Sequence, residues 1–194
     1  MSKVAITGNA SGTGVFTVAS PNSNVDRVLT LPDETGTVDT LQRSGNVIQV
    51  VNFQTGVMAT GTTVIPADDT IPQITEGDEY MTLAITPTNA TNKLNIAVLI
   101  GCMTRSVADR YSLALFRDAV ANSLASSMYT ADVAGYESEM QISHTMIAGG
   151  TSEITFRVRM GGHTAGTTTF NGQGAVRRHG GVIASSITIT EYTA

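Results

Sequence analysis

The sequence predicts an all-β protein, an antiparallel sandwich or barrel, and three observations carry that prediction. Apolar and polar residues alternate strictly in several segments, the period of a half-buried strand. Clusters of Gly, Asn, Pro and Thr stand between those segments as turn chemistry. The third observation is composition. Charged residues make up only 14% of the 194 positions, against about 25% in an ordinary soluble domain. The surface polarity comes instead from Thr, Ser, Asn and Gly, on a chain that is 41% hydrophobic. That hydrophobic fraction excludes wholesale disorder, and the length suffices for a core without disulfide or metal staples.

The N-terminal residues differ from the rest. Gly8, Gly12 and Gly14 lie among Asn, Ser and Thr, followed by two short apolar pieces, Val15 to Val18 and Val25 to Leu31. The second runs into Leu31-Pro32-Asp33-Glu34-Thr35-Gly36-Thr37-Val38, a turn with a return strand. Neither piece can bury its own apolar face, because an isolated hairpin is marginal in water. Residues 1–44 are therefore expected to form a short β neck that packs on the main domain or on copies of itself. Residues 45–194 form the distal domain.

Within that domain Met81, Leu83 and Ile85 alternate with Thr82, Ala84 and Thr86. Leu94, Ile96, Val98 and Ile100 form a second inward row, and the apolar Ala97 and Leu99 between them suggest cover on both faces. Asp118 to Met128 has helical spacing at Val120, Leu124 and Met128. The all-β context favours a hairpin instead, Leu113–Arg117 turning through Asp118–Asn122 into Leu124–Tyr129. Ile154, Phe156, Val158 and Met160 oppose Glu153, Thr155, Arg157 and Arg159, and Ile187 and Ile189 oppose Thr188 and Thr190. Pro87 to Asn92, Gly149-Gly150, Gly161-Gly162 and Asn171 to Gly174 are the expected turns.

Charge and motifs narrow the function classes. Eleven Lys and Arg stand against sixteen Asp and Glu, a net charge of −5, so a basic nucleic-acid footprint is not expected. Met1 to Gly8 carries no apolar signal-peptide core, and the run Ile96 to Met103 is too short to span a membrane. Cys102 is the single cysteine and reads as a small buried hydrophobe. His144 shares an apolar row with Met140, Ile142 and Met146, as a core histidine would. His163 and His179 sit in Gly-rich turns, and the three histidines have no zinc-ligand spacing. The acids at Asp68-Asp69, Glu76, Asp78 and Glu79 lack calcium-loop spacing. Gly12-Thr13-Gly14 has no strand-to-helix context for phosphate binding. There is no Gly-x-Ser-x-Gly elbow. No cofactor and no catalytic constellation is expected.

Specific segments carry a resemblance. Gly56 to Thr63, Ile71-Pro72-Gln73-Ile74-Thr75-Glu76-Gly77-Asp78-Glu79-Tyr80-Met81, Ile85 to Leu94, His163 to Gly172 and Gly181 to Glu191 resemble a domain of tailed-bacteriophage tail fibre proteins. Val28 to Val38 is similar to short segments that precede distal domains in such fibres. The resemblance implies a homotrimeric virion structural protein with a distal jelly-roll-like knob, assembled in the host cytoplasm. The neck would attach it to a tail, baseplate or capsid protein, and the knob would meet a host surface glycan or protein. The expected architecture is thus a short N-terminal β neck followed by an antiparallel jelly-roll-like sandwich.

Contacts with a host surface should lie in loops. The expected contact residues are Tyr129 and Tyr136, which can stack on sugar rings, with His163, Arg177 and Arg178. A capsid decoration or head-fibre protein of architectural role is the alternative. A depolymerase would need two carboxylates flanking a groove, for which Asp132, Glu137 and Glu139 are the clustered acids.

Overall fold

The computed structural model of the protein describes residues 44–194 and, before them, 11–15, 17, 22, 24–26 and 28. The expected neck strands fall almost wholly outside the described residues. The chain divides into two compact units, Met1–Val38 and Asp39–Ala194, and every described strand belongs to the second.

Its strands, in chain order, are β1 (Val47–Thr55), β2 (Ala59–Gly61), β3 (Asp78–Ile85), β4 (Lys93–Arg105), β5 (Asp109–Arg117), β6 (Ala125–Ala131) and β7 (Ser138–Ile147). They continue with β8 (Ile154–Gly162), β9 (Thr168–Phe170), β10 (Gly172–Gln173), β11 (Val176–Arg177) and β12 (Ser185–Tyr192). One sheet runs β1-β12-β4, with β7 on the other edge of β4, and extends through the end of β4 to β9 and β2. The second runs β3-β8-β5-β6. All the pairings within these sheets are antiparallel.

The long strands pair as nested partners: β1 with β12, β3 with β8, β4 with β7 and β5 with β6. An antiparallel ribbon folded over on itself produces this order, which is that of a jelly roll. The alternating rows meet between the sheets. Leu94, Ile96, Val98, Ile100, Ile187 and Ile189 of one sheet share a core with Met81, Leu113, Leu115, Phe156 and Val158 of the other. β5 is buried on both sides, because Ile65 and Ile74 cover Ala114 and Phe116 from outside.

The hairpin at Asp118 is as expected, and no helix forms there. β5 and β6 pair with Leu113 opposite Ser127 and Leu115 opposite Ala125. Asp118 makes the turn at φ +52°, where Asp is among the few tolerated side chains. Its backbone N donates to Thr155 O at 2.7 Å, and its Oδ1 accepts from Thr155 N at 2.8 Å.

Two expectations are corrected. Gly161-Gly162 is extended strand rather than turn. A Cβ on Gly162 would lie 2.1 Å from the guanidinium carbon of Arg105, and one on Gly161 2.5 Å from Thr63 O. Close approach, not turning, demands these glycines. Among the described residues β4 is also not covered on both faces over residues 93–100, where Ala97 is exposed and Leu99 is 47% exposed, while its end from Cys102 to Arg105 is buried throughout. Only its inner row meets the opposite sheet.

Candidate functional site

An open hollow of about 590 Å³ lies where the ends of several strands converge. Tyr129 reaches it from β6, Glu139 from the start of β7 and Cys102 from β4, with Tyr136 and Glu137 from the loop before β7. His179 and Ile183 close it from the segment before β12.

A ladder of three tyrosines builds one wall. Tyr111 and Tyr129 are cross-strand partners, with ring centroids 5.4 Å apart and planes at 28°. Tyr129 and Tyr136 stack at 6.1 Å and 15°. The ladder is anchored at its base. Tyr111 is fully buried, and its hydroxyl is 2.5 Å from Ser138 Oγ, which also reaches Met103 O at 3.4 Å. At the other end Tyr136 is 52% exposed. Hydrogen bonding with Tyr136, then burial, pushes the Tyr129 hydroxyl above its usual range.

Arg178 approaches the same hollow. Its Nη2 donates to Gln173 Oε1, and its Nε lies 3.9 Å from Glu137 Oε1. Gln173 in turn donates to Gly135 O at 2.7 Å, tying the short β10-β11 hairpin to the loop that carries Tyr136. Arg177 is exposed on β11, beside Gly181, whose φ is +90°. His179 starts a single 3-10 turn, His179–Gly181. Cys102 is buried as expected. Burial first, then Glu137, raise its thiol pKa, with Arg178 among the opposing influences.

Of the five expected contact residues, Tyr129, Tyr136 and Arg178 are therefore brought together, with Arg177 next in chain. His163 is elsewhere. It lines a second hollow with Asp109, Arg110 and Asp132, and its Nε2 is 3.1 Å from Ser112 Oγ. Burial lowers its pKa, against the pull of Asp109. The three acids considered for a depolymerase are likewise divided: Glu137 and Glu139 line the tyrosine hollow, Asp132 the other. The part played by Ile183 is not legible in the sequence, since Gly101 and Cys102, which line the hollow with it, are far from it in the chain.

The acids of the calcium-like stretch are dispersed. Asp68 accepts from Thr70, and Asp78 from Thr63. Glu76 caps Gln73 N, and Glu79 pairs with Arg157. Among the described residues no cluster of His, Cys, Asp and Glu could hold a metal ion.

The outer face of the β1-β12-β4-β7 sheet is a second distinctive surface. Leu99 lies between Ser186 and Gln141, Ala97 between Thr188 and Ser143, and Asn95 between Thr190 and Thr145. β1 adds Asn52 opposite Thr188 and Val50, 56% exposed, opposite Thr190. None of these side chains is charged, and the charged residues of the same rows, Lys93 and Glu139, stand at their ends. On the other sheet, by contrast, Arg157, Arg159 and Glu79 stand together.

No family profile matches the chain, and no curated protein matches it. Solved structures resemble it at low similarity. One is dimeric latent PorU of Porphyromonas gingivalis, at 8% identity and TM-score 0.34, covering 78% of this chain and 13% of that one. Another is the VP2 subviral particle of infectious bursal disease virus, at 12% identity and TM-score 0.33, covering 86% and 43%. A third is the enzymatically active domain of tailspike protein 4 of bacteriophage CBA120, at 14% identity and TM-score 0.24, covering 63% and 18%. The chain thus spans less than half the length of each. A virus-particle protein and a phage tailspike domain are among the structures it resembles, at a level that carries no argument about function.

Proposed function

We propose that the protein is a structural component of a tailed-phage particle, a tail fibre or fibre tip whose β knob binds the host cell surface. The observation that carries this reading is the hollow itself. Tyr129 and Tyr136 are contact residues expected from the sequence, and they line it together on a rigid sandwich, with an exposed aromatic ring, while Arg178 stands behind Glu137 of its wall. Loops held by a rigid scaffold are where binding residues concentrate. The resemblance of the segments between Gly56 and Glu191 to tail fibre domains supplies the biological setting.

Assembly as a homotrimer belongs to this reading. The uncharged face around Ala97 and Leu99 is suited to contact between copies, because charged residues are depleted at interface cores. A second copy brings no charge clash to it. Trimeric display multiplies weak single-site contacts, with avidity exceeding one site by up to ~10²–10⁴. Binding of this kind needs no bond-making chemistry.

Competition for adsorption tests the proposal. Purified protein added in excess should slow attachment of the phage that encodes it to cells of its host. Unchanged attachment would contradict the receptor-binding role and favour a purely architectural one on the capsid.

A further inference from the structure

We infer that the tyrosine hollow takes a non-acidic sugar residue, its C–H face laid on Tyr136 and its hydroxyl groups donating to Glu137 and Glu139. This rests on the reading that the hollow faces the host surface, and it adds the chemical class of the ligand.

The ring comes first. Tyr136 stands at the exposed end of a stack whose base is fixed by the fully buried Tyr111 and its contact with Ser138. A tyrosine held this way offers a flat apolar surface at low cost in conformational entropy. A pyranose presents a matching flat patch of C–H groups on one face and hydroxyl groups around its edge.

Charge then selects among sugars. Ionised carboxylates only accept hydrogen bonds, so Glu137 and Glu139 match hydroxyl or amine donors and repel sialic acid, uronate, sulfate or phosphate. The cation at the rim does not reverse this. Arg178 is engaged by Gln173 and by Glu137, which leaves Glu139 without a paired cation among the described residues. The same imbalance is felt at its floor, where burial and then Glu137 raise the Cys102 thiol, Glu139 acts in the same sense, and Arg178 opposes them. Arg178 is thus diverted to internal contacts.

Size and shape favour a sugar over a basic peptide, whose cationic side chain would also suit an aromatic ring and two acids. Protein hot spots sit in fully desolvated pockets, whereas this hollow is broad and open. Its volume of about 590 Å³ lies within the range of small-ligand sites.

The test is binding of the labelled full chain to a glycan array carrying neutral, amine-bearing and acidic glycans, with poly-lysine spots alongside. The expected result is signal on neutral or amine-bearing glycans. It should fall roughly tenfold or more in Tyr136→Ala and recover in Tyr136→Trp, with all three proteins melting at similar temperatures. Glu139→Gln should weaken the discrimination against acidic glycans. Strongest binding to acidic glycans, binding indifferent to Tyr136→Ala, binding to poly-lysine alone, or binding to no glycan would each overturn the inference. Mass spectrometry of purified particles separates this failure from that of the broader reading. A chain present in particles that binds no non-acidic glycan sinks the sugar inference alone. A chain absent from particles sinks the virion role whatever the array shows.

Discussion

Asn92 Nδ2 donates to Glu191 Oε1 across 2.6 Å, although 99 residues separate them in the chain. The carboxylate is fully buried in the last strand. It also accepts from Thr88 N and Oγ1 at 2.8 Å each and from Gln49 Nε2. One side chain thereby joins β1, the β3–β4 turn and β12. Burial alone would raise its pKa, but the donors from Gln49, Asn92 and Thr88 outweigh burial and hold it below its ordinary value of 4.5.

Acid should therefore loosen the fold. A carboxylate held below its unfolded pKa stabilises the native state above about pH 4.5, and that contribution is lost as the pH falls through the folded value. Melting temperature is expected to drop between pH 5 and pH 3. Glu191→Gln should melt lower at pH 7 and show a shallower drop. An equal slope in both proteins would assign the acid sensitivity elsewhere. Glu191→Ala, which strands several buried donors, should cost about 2–3 kcal/mol.

Gly162→Ala should be severely destabilising, because the added methyl falls on the Arg105 guanidinium. That side chain cannot swing away. It is 1% exposed and bonded to Asp109 Oδ2, Gly166 O, Thr168 Oγ1 and Thr164 O. A loss of about 2–3 kcal/mol is expected for overpacking of this kind, read by urea denaturation. Gly150→Ala, with open space around it, should be nearly silent in the same assay.

Ala97→Glu probes the uncharged sheet face. The wild-type solution mass should be three times 20.3 kDa. The variant brings carboxylates from neighbouring copies against one another and should fall to a single chain with an unchanged far-UV spectrum. Thr82→Glu, on the exposed outer side of β3, should leave the mass as it was.

Asp118→Ala tests the β5–β6 turn. It removes the acceptor for Thr155 N and leaves an alanine at φ +52°. Strain and the orphaned donor together should cost about 1–2 kcal/mol. Asp118→Gly should recover the part due to strain.

Much of this fold is legible in the sequence because its information is local. Strict alternation in residues 154–160 and 185–192 places each side chain on its face without knowledge of the partner strand. The same rule extended two residues beyond Ile189 puts Glu191 on the inward row, yet nothing local reveals the donors of Gln49, Thr88 and Asn92 that make this tolerable. Gly161-Gly162 reads as a turn because turn chemistry and close packing both require glycine, and only the distant Arg105 and Thr63 decide between them. The hollow is half legible. Tyr129 and Tyr136 are near in sequence, while Arg178 is brought toward them by the β10-β11 hairpin, through Gln173 and Glu137. His163 looks equivalent in its Gly-rich setting, but it follows β8 to the other hollow.

The most direct test of the central claim is immunogold labelling of intact particles of the encoding phage with antibody against residues 45–194. The account predicts gold at the tail, on fibres or at the baseplate. Gold spread over the head, or particles without label, would contradict it.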